Sequence, residues 1–122
     1  MEIDKLIEEY KVQAAVCAQT DFAVKKSVRQ NNKAVDRMYA IVATIDTNFG
    51  LDGIGKFQEL LDIKENNTDL WTATHLLERL KVEKPIEEKA LIIIETVAKG
   101  KGVEALGYQY WLKKWYEQKN AL

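Results

Sequence analysis

The chain carries a single histidine, His75, and a single cysteine, Cys17. A lone imidazole works as a general base only with a nucleophile and an orienting group beside it, and no motif supplies them. His75 follows Trp71 by one turn and falls off the main apolar stripe of its segment. That placement suits an ordinary surface or half-buried histidine, or one that touches a partner. Cys17 lies on the apolar face of an N-terminal helix, near the helix end. A reactive thiolate wants a cation or a helix N-terminus, so a buried structural thiol is the better reading. One Cys excludes a disulfide scaffold and a Cys-based zinc site, and one His excludes a His-pair metal site. Neither catalysis nor a cofactor is expected.

Two further sets of residues stand out. Asn32, Asp36 and Arg37 are polar within an apolar region. Asn32 and Asp36 share a helix face at i, i+4, whereas the adjacent Asp36 and Arg37 do not. They read as a network tying the helix to its neighbours, with plain surface and a functional site as the alternatives. The second set is aromatic: Trp71, Tyr108, Trp111, Trp115 and Tyr116. Three Trp in 122 residues is a heavy load, and Trp and Tyr are favoured interface anchors. Trp111 reads as core; Trp71, Trp115 and Tyr116 are harder to bury together. Asn66–Thr68 matches a glycosylation sequon but is accounted for by helix capping. Lys99–Gly102, "KGKG", lacks the strand and spacing of a phosphate loop and reads as a turn between helices.

Composition bounds the rest. The length implies one domain, residues 1–122, and 47% hydrophobic residues allow a real core. A net charge of -1 argues against broad capture of nucleic acid or anionic membrane. It leaves room only for a local patch. The N-terminus has no signal-peptide core and no apolar run nears the roughly 20 residues of a membrane span. The expected location is cytoplasmic, with no membrane partner.

Helical periodicity runs throughout. A first helix is expected over about Asp4–Thr20, with Asp4 as N-cap and Ile3, Leu6, Ile7, Tyr10, Ala14 and Cys17 on one stripe. A second runs from about Ala23 to Thr47, polar in its first half, with a break near Asn31–Asn32 allowed by weak helix propensity. Asn48 and Gly50 end it. A third spans about Asp52–Leu61, capped by Asp52. A fourth, capped by Asn67 or Thr68, runs to about Leu80. Pro85 opens a fifth, and Val103 to about Lys119 makes a sixth. No strand is expected; Leu91–Val97 follows a Pro–Glu–Glu helix start and reads as buried helix.

Helices three and four repeat as five and six at an offset of about 33 residues, typical of helical repeats. Phe57, Leu60 and Leu61 fall over Ala90, Ile93 and Ile94. Leu70, Ala73, Thr74 and Leu77 fall over Val103, Leu106, Gly107 and Tyr110. The segments Leu6–Gln19, Asn31–Ile41, Gly53–Asp62 and Thr68–Leu80 together resemble DUF2019, a small bacterial family of unknown function. The most specific part is Asn32, Lys33, Asp36 and Arg37. The chain departs from the family pattern at Leu70–Trp71, where Val–Arg is usual, and in its aromatic last helix. The resemblance implies an all-α fold: a right-handed α-α superhelix of about six helices in HEAT/ARM-like pairs. It implies no catalytic residues.

The expected function is a non-catalytic protein-binding module, using a face built from the second helix of each pair. Candidate contacts are Asp36, Tyr39, Trp71, His75, Tyr108 and Trp115. The most concrete version is an immunity protein that neutralises a cognate toxin. The alternatives are a small-molecule binder or enzyme with a site at a helix junction, and a nucleic-acid binder. The last would need Lys25, Lys26, Arg29 and Lys33 in one stripe. Self-association through the last helix is compatible with each.

Overall fold

The first apolar stripe becomes helix α1, Ile3–Ala18, which buries Leu6, Tyr10 and Ala14. In the computed structural model, which describes residues 2–121, α1 packs along α2, Lys25–Gln58. Asp21 builds the turn between them. Its Oδ1 accepts the Ala23 N–H at 2.9 Å, and its own N–H donates to Ser27 Oγ at 2.8 Å. These bonds hold the chain outside helical geometry, so α2 starts at Lys25 rather than near Ala23.

The break that weak helix propensity allows near Asn31–Asn32 does not occur. Thr20 Oγ1 donates to Asn31 Oδ1 at 3.0 Å, which gives the amide a partner other than its own backbone. The interruption lies at Gly50, with φ 56° and ψ -142°. Glycine takes that region without strain and other residues do not. Helix resumes at once and runs to Gln58, so Asp52 lies inside it rather than capping a new one. The expected second and third helices are thus two arms of one bent helix, and the described residues form five α-helices rather than six. Gly53 lets the arms close up: a Cβ there would collide with Phe49 Cβ and come within 3.2 Å of Ile45 Cγ2.

Two 3-10 turns, Glu59–Asp62 and Glu65–Asn67, lead into α3, Thr68–Arg79. Asn66 and Asn67 both take positive φ, 57° and 58°, which Asn tolerates better than most residues. Asn67 stands at the N-cap, but its side chain makes no capping bond. Thr68 Oγ1 instead donates to the Glu65 carbonyl at 2.7 Å, and Asp69 Oδ1 accepts the Leu70 N–H at 2.8 Å. Helix α4, Lys84–Ala98, has Pro85 in its first turn, and Leu91–Val97 is helical as expected. Helix α5, Val103–Asn120, follows Gly102 at φ 96°. Likewise α1 starts at Ile3 with Glu2, not Asp4, in the cap position. Among the described residues there is no strand, and no helix is long and apolar enough to cross a membrane.

The core lies where α1, both arms of α2 and α3 meet, with Ala90 and Ile94 of α4 closing one side. Helix α5 contributes one fully buried residue, Ala105. The expected repeat register fails in its second half. Leu70 and Ala73 are buried, while the residues set over them, Val103 and Leu106, are 87% and 64% exposed. The starts of α3 and α5, Thr68 and Val103, lie two residues further apart than the 33-residue offset. That shift sets Leu70 over Ala105, Ala73 over Tyr108 and Leu76 over Trp111, all of which face inward. Helix α4 runs to Ala98, three residues past the equivalent of Asp62, and the connection after it is one residue shorter.

Candidate functional site

Helix α3 is hemmed in by α1 and α2 on one side and α4 on another. Thr68, Leu70, Thr72, Ala73, Thr74, His75 and Leu76 are all buried, which leaves little of its first two turns to solvent. His75 is therefore wholly enclosed, 0% exposed, and not the surface or half-buried residue expected from its place off the apolar stripe. Tyr10 Oη lies 2.7 Å from His75 Nδ1. The Tyr39 ring centroid stands 4.4 Å from the imidazole and the Trp71 centroid 5.7 Å. Phe57, on the second arm of α2, meets Tyr10 edge-on at 4.9 Å. Burial, reinforced by the charge on Arg79, lowers the His75 pKa to about 4, so the ring is neutral at pH 7. Burial pushes the Tyr10 phenol well above its usual range, so it stays protonated. Among the described residues, His75 Nε2 and Thr72 Oγ1 find no hydrogen-bond partner. A sealed imidazole on a phenol is a packing group; it presents no atom to a substrate or partner.

The six residues expected at a partner face thus separate. Tyr39, Trp71 and His75 gather in the interior layer. Tyr39 is half-buried; its hydroxyl donates to the Glu78 carboxylate at 3.2 Å, and the Arg79 guanidinium lies 4.7 Å over its ring. Burial, then the Glu78 charge, raises its pKa. Tyr108 joins this layer from α5, its hydroxyl 3.4 Å from Thr74 Oγ1. Asp36 is exposed on the outer face of α2, as is Asn32. The polar network expected there reduces to Arg37, whose guanidinium forks onto Glu9 of α1, with Nη2 to Oε1 at 2.8 Å. That hydrogen bond lowers the Glu9 pKa and raises that of Arg37. Cys17 is half-buried against the core, and burial raises its pKa. Among the described residues no three of His, Cys, Asp and Glu converge closely enough to hold a metal ion.

Of the six, Trp115 opens onto the larger cleft, and Tyr39 borders a smaller one beside Arg79 and Leu80. An open groove of about 750 Å³ runs between the end of α3, the connection to α4, and the second half of α5. Leu77, Leu80 and Val82 contribute its aliphatic surface, and Trp111 and Trp115 its aromatic surface. The two indoles lie nearly parallel, 10° apart with centroids at 6.4 Å. Trp111, expected in the core, is half-buried and lines this groove while packing on the core. Lys81, Lys114 and Lys119 edge the groove, with Glu78 and Glu87 as its acidic residues. Lys119 is anchored, paired with Glu87 and 4.7 Å over the Trp115 ring.

Sequence reasoning missed Leu77, Leu80 and Val82 as part of a site. The signal was present: apolar spacing from α3 runs past its end at Arg79 into the following loop, where no later helix covers it. No family model, curated protein or solved structure matches this chain, so its resemblance to DUF2019 rests on the quoted residues alone.

Proposed function

We propose that this protein is a non-catalytic protein-binding module whose partner docks in the groove between α3 and α5. The observation that carries the reading is the pair of nearly parallel indoles, Trp111 and Trp115, bordering an open groove beside Leu77, Leu80 and Val82. Half-buried Trp on a rigid support is the usual chemistry of an interface anchor. The groove sets five apolar side chains among charged and polar ones and is slightly cationic at its edge. It suits an apolar side-chain cluster flanked by carboxylates on the partner. The helix pairs read as a short HEAT-like, right-handed α-α superhelix, an architecture that offers side-chain surfaces without moving parts. In its most concrete form the module is an immunity protein, and the partner a toxin encoded beside it.

A photo-crosslinking residue at Lys114 tests this. It should capture one cellular protein in stoichiometric yield, and the same residue at the remote Glu8 should not. The purified partner should bind wild type and lose at least tenfold in affinity for Trp115→Ala. Equal capture from both positions, or unchanged affinity, would refute the groove as the docking site.

A further inference from the structure

The turn between α1 and α2 ends in three consecutive apolar residues, Phe22, Ala23 and Val24, and all three are exposed. Phe22 is 74% exposed and Val24 47%. Such a run is a defect in a surface unless it has a use. Directly after it come Lys25, Lys26, Arg29 and Lys33, all exposed. Their spacing puts them within about 100° of arc on the outer face of α2, over roughly 12 Å of helix. The buried residues Ala34, Met38, Ile41 and Ile45 lie on the opposite side. No Asp or Glu falls between Phe22 and Val35, although the whole chain is net -1. This end therefore carries a local excess of four positive charges beside an apolar tip, bounded by Asp21 before Phe22 and by Asp36 where the stripe ends.

We infer that this end docks on an anionic lipid surface. Phe22 and Val24 would enter the headgroup boundary, and Lys25, Lys26, Arg29 and Lys33 would lie against lipid phosphates. Acidic residues elsewhere would keep the rest of the molecule away and fix its orientation. A nucleic acid would use the same four cations. It gives no role to an aliphatic Val beside a lone Phe, and no further aromatics line the stripe for base stacking. This docking surface is separate from the α3–α5 groove, and neither depends on the other.

Co-sedimentation of the full chain with vesicles is the test. Vesicles containing about a third phosphatidylglycerol should bind it, and pure phosphatidylcholine should not. Lys25→Gln/Lys26→Gln should weaken binding roughly 30-fold, at about a factor of five per basic residue. Phe22→Ser should weaken it roughly tenfold. Lys99→Gln/Lys101→Gln, which removes the same charge from an exposed turn outside the stripe, should leave it unchanged. All three variants lie at exposed positions, so their circular-dichroism melts should match wild type. No binding, equal binding to both vesicle types, or equal loss from the two lysine pairs would overturn the inference. So would an intact Phe22→Ser phenotype, and salt-dependent binding of a DNA oligonucleotide in that variant would then assign the stripe to nucleic acid.

Discussion

Two aromatic sets lie on either side of α3, and they have opposite fates. On one side Tyr10, Tyr39, Trp71 and His75 close over one another, with Phe57 beneath. On the other, Trp111 and Trp115 stack beside one another and border an open groove. The residue types are nearly the same; the number of helices around them is not. Helices α1 and both arms of α2 cover the first set, while the second lies on the second half of the last helix, which packs chiefly on α4. Aromatic content therefore says little about function until the covering elements are counted. In this molecule the closed set stabilises, and the open set is the one available to bind.

The largest expected effect tests the closed side. Tyr10→Ala removes a fully buried ring and should cost about 3–5 kcal/mol in urea unfolding. A loss near 1 kcal/mol would mean that the layer is looser than described. Acid should act on the same layer. A folded pKa of about 4 lies below the usual 6.5 of His75, so the unfolded chain binds the proton more readily. Stability is complete above pH 6.5 and is lost as pH falls from there towards 4. The loss amounts to roughly 3 kcal/mol. Urea midpoints at pH 7 and pH 4.5 should fall further for wild type than for His75→Gln; parallel falls would remove His75 as the cause. Gly50→Ala should cost about 2 kcal/mol, because a Cβ at φ 56° is strained and the bend carries Phe57 to Tyr10. Smaller still, Trp115→Ala should cost only about 1 kcal/mol, since that ring is half-exposed. Arg37→Ala should change the midpoint least, by under ~1 kcal/mol, because its bond to Glu9 is substantially solvated.

Much of the fold is legible in the sequence. Apolar spacing places all the helical segments, and Pro85 marks a real boundary. Gly50 signals a stop in the sequence and is a bend in the structure, because a chain leaving positive φ can re-enter helix when the next residues pack, as Ile54 and Phe57 do. The site was less legible. His75 was misplaced because a single stripe assumes one covered face, and α3 is covered nearly all round. Trp111 and Trp115 were visible by type, but their openness depends on what lies above them, which periodicity cannot register. Asp36 and Asn32 show the converse: polar residues in an apolar stretch need not face inward when the helix is long enough to hold both faces.

The most direct test sets the two sides against each other. Affinity of the crosslinked partner should be measured by calorimetry for wild type, Trp111→Ala/Trp115→Ala and Tyr10→Phe. The groove variant should lose roughly 30-fold or more in affinity while remaining folded. Tyr10→Phe, which leaves His75 Nδ1 without its partner, should lose about 1–3 kcal/mol of stability and bind as wild type does. Partner affinity that falls with Tyr10→Phe and survives loss of both indoles would contradict the assignment of binding to the open side.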